Sequence, residues 1–133
     1  MTTLTSWLDS DGSTIVFQSS DRDAVARELS TVNVRYEYRE PLDVPAGASA
    51  EQVMEIFSDI IAEFGANEHY TTVDVAQLHP TDSDDWQALA STARAKFLNE
   101  HTHDDDEVRY FVQGSGIFYL HIDGKVQIGR AHV

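Results

Sequence analysis

The residues with the greatest capacity for chemistry fall in one run, Glu100-His101-Thr102-His103-Asp104-Asp105-Asp106-Glu107-Val108-Arg109. In extended chain, positions 101, 103, 107 and 109 share parity, so their side chains can point to one face. His101, His103 and Glu107 on one side form a facial set of N, N and O donors. Such a set suits a borderline divalent metal with open coordination positions, Fe(II) or Ni(II) among them. The H-x-H-x3-E spacing, followed by x6-Gly114, makes coincidence the poorer explanation. Asp104, Asp105 and Asp106 read instead as a solvated acidic stretch that breaks the strand. Three adjacent carboxylates cannot all face one ion, and the glycine and spaced oxygen ligands of a calcium loop are missing. Arg109 adds a separate argument. Val108, Tyr110 and Val112 would pack on the opposite face, leaving the guanidinium on the ligand side. There it needs an anion, either a neighbouring Asp or an anionic substrate beside the metal.

The rest of the composition narrows the field. No cysteine occurs in the 133 residues, which excludes disulfide scaffolds, Cys-zinc sites and thiol catalysis, and leaves His and carboxylate as the strong ligands. With 9 Lys+Arg against 23 Asp+Glu, the formal charge of −14 repels phosphate backbones and anionic lipid, so neither nucleic acid nor membrane is an expected partner. The opening MTTLTSWLDS has neither the basic stretch nor the apolar core of a signal peptide, and a cytoplasmic protein is expected.

The positioning elements follow from periodicity. Trp7 and Thr14–Gln18 read as strands around a turn at Asp9–Gly12, and Ser20 opens a helix with Val25, Leu29 and Val32 on one face. Val34–Tyr38 alternates as a strand and stops at Pro41. A helix is expected from Ala50 to Phe64, with Ser49 and Gln52 as a capping box and Gly65 at C′. Val53, Ile56, Phe57, Ile60, Ile61 and Phe64 form its apolar stripe. Thr71–Leu78 is strand-like. Ser83 begins a further helix with Trp86, Leu89, Ala90, Ala93 and Phe97 on the buried side. Val108–Val112, Ile117–Ile122 and Lys125–Ile128 then read as a β-meander, turning at Gly114-Ser115-Gly116 and at Asp123-Gly124.

The string from His101 to Gly114 resembles the first motif of the cupin superfamily, although the generic glycine six positions before the first His is Ala95 here. The longer string KFLNEHTHDDDEVRYFVQGSGIFYLHI, from Lys96 to Ile122, resembles the bacterial acireductone dioxygenase family, and the likeness runs upstream to near residue 1. The resemblance implies an α+β, mainly β fold: a cupin jelly-roll β-barrel with N-terminal helices, incomplete at the C-terminus. It implies that His101, His103 and Glu107 are three of four ligands to one Fe(II) or Ni(II) ion. To Glu100 it gives a supporting role in metal incorporation, to Asp106 a part in relaying conformational change, and to Arg109 a part in generating the substrate dianion. The implied reaction belongs to methionine salvage. Acireductone (1,2-dihydroxy-3-keto-5-methylthiopentene) and O2 give 4-methylthio-2-oxobutanoate and formate in the Fe(II) form. The Ni(II) form gives 3-methylthiopropanoate, formate and carbon monoxide.

The family's second motif, which carries the fourth ligand, has no counterpart after Glu107. His121 reads as an ordinary sheet residue and His132 as part of an unanchored tail, so neither is assigned. Residues 1–127 are therefore expected to be the first part of the cupin domain. Residues 128–133 are expected to be a non-native tail, because Ile-Gly-Arg-Ala-His-Val matches a translated sequencing adapter. Such a chain is expected to be a monomer that binds Fe(II) or Ni(II) weakly and turns over little. The alternative is a non-catalytic cupin-like metal-binding or interaction domain.

Overall fold

The computed structural model describes residues 1–68, 70, 72–102 and 104–133, with the side chains of Asn67 and Glu68 left aside. The described residues form four helices and four strands in two compact units, Met1–Asp43 with Arg109–Val133, and Val44–Val108.

In the first unit, β1 (Thr2–Leu8), β2 (Asp11–Ser19), β3 (Ser115–Ile122) and β4 (Lys125–His132) form one antiparallel sheet in the order β2-β1-β4-β3. Two hairpins are thus joined through their inner strands, from Thr2↔Ala131 to Leu8↔Lys125. The β3–β4 turn is the Asp-Gly pair that the sequence predicts. Asp123 (φ 52) and Gly124 (φ 75) both adopt positive φ, as a type I′ turn requires. The β1–β2 hairpin is less regular. Pairing shifts between Ser6 and Leu8, and the surplus residues of β2 fold around Asp11. Its carboxylate accepts from the Ser13 hydroxyl (2.6 Å) and the Ser13 N–H (3.0 Å). These bonds, with those from Thr14, hold the Asp11 carboxyl below its usual pKa.

One face of the sheet is covered by α1 (Arg22–Ser30). Its N-cap is Asp21, one residue beyond the expected Ser20, and the carboxylate accepts from Ala24 N–H at 2.8 Å. Val25 and Leu29 are buried against Leu4, with Phe17, Val34, Tyr36 and Leu120 packed around them. Each such side chain stabilises the fold by about 1.5–3 kcal/mol. Two polar residues lie under the same helix, Ser6 and Gln127, almost fully buried. Gln127 Nε2 donates to Ser6 Oγ (3.2 Å) and to Glu28 Oε1 (3.4 Å), and Lys125 Nζ sits 3.5 Å from the same carboxylate oxygen. This cluster was not legible in the sequence. No signal in the sequence marks it, because Gln127 shares its strand parity with Lys125, Gly129 and Ala131 while the apolar Val126 and Ile128 have the other.

Three expectations change in this unit. The fold is α+β as expected, but over all the described residues four helices stand beside four strands, and the described strands, all in this unit, make one open sheet with β2 and β3 at its edges. Val34–Tyr38 is irregular chain: Asn33 (φ 59) ends α1, and Val34 N–H returns to Leu29 O at 3.0 Å, so the segment folds back on the helix. Residues 108–112 do not join the meander either. Gly114 exchanges both main-chain bonds with Val133 (2.9 and 2.8 Å), so the Gly-Ser-Gly bend starts the β3–β4 pairing and does not close a hairpin onto residues 108–112.

In the second unit, α2 (Ala50–Ile56) begins at Ser49 with the expected capping box, Gln52 N–H to Ser49 Oγ and Ser49 N–H to Gln52 Oε1. The expected single helix is broken at Phe57 and resumes as α3 (Ser58–Glu68). The hydrogen-bond ladder still passes through the break, from Phe57 N–H to Val53 O and from Ile61 N–H to Phe57 O. Gly65 lies inside α3 and ends nothing, because it does not take the left-handed conformation a C′ glycine needs. Ala48, Val53 and Phe57 are buried. Residues 72–78 of the expected strand are irregular, and Thr71 lies outside the described residues. The last helix, α4 (Asp85–Leu98), forms where expected, but its stripe is not buried: Leu89 is 60% exposed and Phe97 59%.

Candidate metal centre

The donor-rich run begins where α4 stops. Asn99, the C-cap, is extended (φ −77, ψ 131) and turns the chain out of the helix toward Glu100 and His101. His101 Nδ1 lies 2.9 Å from the Asn99 carbonyl oxygen. A carbonyl can only accept, so Nδ1 is the donor in this bond, and in the neutral ring the lone pair is then on Nε2. This is the common arrangement of a metal-binding imidazole, with one nitrogen held by a protein acceptor and the other presenting its lone pair.

Glu100, His101, Asp104, Asp105, Asp106, Glu107 and Arg109 are all exposed. The chain bends at Asp104 and Asp105, where the acidic stretch is expected to interrupt the extended conformation. The parity argument for His101, Glu107 and Arg109 therefore does not continue through this bend as one strand. His103, the middle donor of the expected set, lies outside the described residues. Among the described residues, no three His, Asp or Glu side chains form a group that could hold a metal. Of the expected ligands, the structure thus describes two, His101 and Glu107, with His101 Nδ1 turned to the Asn99 carbonyl. The donors fit a borderline divalent ion by their chemistry: imidazole nitrogen and carboxylate oxygen, with no thiolate.

The first unit supplies Arg109 and what surrounds the segment after it. Tyr110 is 36% exposed. Burial pushes its phenol pKa up, Arg39 pulls it down to a lesser degree, and Tyr38 pushes it up again. Arg22 lies over the Tyr38 ring, 3.2 Å from its centroid. Phe111 meets Phe118 edge to face, centroids 5.5 Å apart and rings at 84°. On the sheet, Trp7, Leu8, Asp9, Gly12, Val126 and Ile128 line an open groove of about 270 Å³.

The two histidines outside the motif have other surroundings. His121 stands on β3 with Nε2 3.2 Å from Asp9 Oδ2, a sheet residue paired to the opposite hairpin. His132 is not loose. It closes β4, pairs with Ser115, and exchanges main-chain bonds with Met1. Residues 128–132 as a whole lie in the inner strand β4.

Comparison with known proteins adds a finding that the geometry alone does not carry. The model of the ARD/ARD′ family matches residues 26–129, a span that includes the whole donor-rich run. The acireductone dioxygenase of Frankia alni is 45% identical over 132 residues, covering 98% of this chain. That of Saccharopolyspora erythraea is 39% identical over 126 residues, and acireductone dioxygenase 2 of Nocardia farcinica 36% over 127. The chain spans 64% of the length of the first of these relatives and 66% of the other two.

Proposed function

The chain belongs to the ARD/ARD′ family, and from that premise we propose that it acts as a metal-dependent dioxygenase on acireductone, in methionine salvage. The observation that carries this reading is the family match across residues 26–129, with H-x-H-x3-E intact inside it. The contact of His101 Nδ1 with the Asn99 carbonyl supports it from the structure.

His101, His103 and Glu107 would hold the ion, three of the four ligands the resemblance implies. Bound there, Fe(II) or Ni(II) would supply a Lewis acid and a template for a chelating ene-diolate. The Asn99 carbonyl would hold a proton on His101 Nδ1, so that Nε2 of the neutral ring would be the donor to the metal. Arg109 would pair with the substrate dianion, since a guanidinium binds a planar, two-oxygen anion through two parallel N–H···O bonds. Glu100 would assist metal incorporation and Asp106 would relay changes along the run. In the whole protein, the open sheet would form part of a cupin jelly roll.

The test is single-turnover product analysis. The protein, loaded separately with Fe(II) and Ni(II), is mixed at stoichiometric concentration with acireductone and O2. The expected products are formate with 4-methylthio-2-oxobutanoate for iron, and formate, carbon monoxide and 3-methylthiopropanoate for nickel. His101→Ala and Glu107→Ala are expected to reduce both to the metal-free background. Consumption at the same rate in wild type and His101→Ala would refute the assignment.

A further inference from the structure

The chain from Arg109 to Val112 forms no ladder with the sheet, so something other than strand pairing must fix its position. One close contact of this segment is at Gly116. An ideal Cβ built on this glycine would lie 2.2 Å from Phe111 Cε1, 2.8 Å from Cζ and 3.3 Å from Cδ1. The ring therefore occupies the space that any other residue's side chain would take. Gly116 does not need to be glycine for its backbone. It is not in the left-handed region, and it sits in regular pairing opposite Ala131. Glycine inside a strand weakens it, and commonly marks a close approach by another group. Here that group is the Phe111 ring, which also meets Phe118 edge to face.

We propose that Phe111, seated on Gly116, is a positioning residue for Arg109. Arg109 lies two residues before Phe111 in the chain, so a ring fixed on Gly116 limits where the guanidinium-bearing residue can go. This proposal rests on the role given to Arg109 under the proposed function, and it extends that role to residues that touch neither substrate nor metal.

The primary test needs no ligand. The Arg109 Nε–H resonance, assigned through its loss in Arg109→Lys, is followed by 15N relaxation in the metal-free chain. Wild type is expected to give an ordered Nε–H. In Gly116→Ala, whose new methyl displaces the ring, and in Phe111→Leu, which leaves the space but removes the ring, it is expected to become mobile. The double variant Gly116→Ala/Phe111→Leu has room for both side chains and is expected to melt closer to wild type than Gly116→Ala does, yet to keep Arg109 mobile. If Gly116→Ala does not fold, Phe111→Leu alone carries the test. An Arg109 Nε–H as ordered in folded Phe111→Leu as in wild type would overturn the proposal.

A second measurement separates this proposal from the reading beneath it. 4-Nitrocatechol, an ene-diol whose absorbance reports binding, is titrated into the Ni(II)-loaded chain. Phe111→Leu is expected to weaken it about tenfold, as a lost charge-assisted contact does, with Ni(II) affinity unchanged. An equal loss of both affinities would mean general disruption and contradict a positioning role. If Arg109→Lys leaves probe affinity untouched, the role of Arg109 in the site fails, while the relaxation result still decides whether Phe111 positions it.

Discussion

Helices α1 and α4 carry similar apolar stripes in sequence and reach opposite outcomes within their own units. In α1, Val25 is 1% exposed and Leu29 8%, while in α4 no residue is buried. The caps differ in the same direction: Asp21 accepts from Ala24 N–H, whereas Asp84 makes no side-chain cap bond. The difference lies in the partner surface. Leu4, against which α1 packs, stands on a strand whose neighbour β4 comes from the far end of the chain, so its burial depends on a pairing between distant residues. A stripe shows which face of a helix is apolar, and burial needs a second surface that the stripe does not specify.

Substitutions can break or sharpen this contrast. The largest effect is expected in the core under α1. Leu29→Ala should lower unfolding free energy by about 2–5 kcal/mol in urea denaturation, while Leu89→Ala should stay within about 0.5 kcal/mol. Equal losses would mean that α4 packs as tightly as α1. Next comes Gly124→Ala, which puts a side chain at φ 75 in the type I′ turn. A loss of about 1–2 kcal/mol is expected from the same measurement. The caps follow. Asp21→Ala should cost about 1 kcal/mol, and Asp84→Ala should leave the melting curve where it was.

The smallest effect is a pH dependence in the sheet unit. The folded state raises the Tyr110 phenol above its unfolded value of 10.0, so it binds that proton more tightly than the unfolded chain does. The resulting stability is fully present below pH 10.0 and is lost as pH rises through the folded value. Melting temperature measured from pH 8 upward should therefore fall less steeply at the alkaline end in Tyr110→Phe than in wild type. Identical slopes would show that burial of Tyr110 has no such consequence.

Local signals were legible in the sequence where the physics is local. The Ser49–Gln52 capping box and the Asp123-Gly124 turn each depend on a few consecutive residues, and both form as expected. Non-local outcomes were not legible. Val34–Tyr38 and Val108–Val112 alternate as strands do, but a strand needs a neighbour with free edge groups. The bonds of Val34 and Gly114 go to Leu29 and Val133 instead. Gly116 read as a turn residue because the dipeptide pattern says nothing of a ring arriving from Phe111. In the candidate centre, residue types and spacing singled out candidate donors, and resemblance suggested their roles. The contact of His101 Nδ1 with Asn99 O depends on how the chain leaves α4, which spacing does not specify.

The central claim is that His101, His103 and Glu107 bind one divalent ion. Calorimetric titration of Ni(II) into the apo chain tests it most directly, with His101→Ala, His103→Ala and Glu107→Ala alongside. The expected result is one ion per wild-type chain and binding weakened at least about tenfold by each substitution, the scale of losing one ligand or its support. Unchanged affinity and stoichiometry in all three variants would contradict the account.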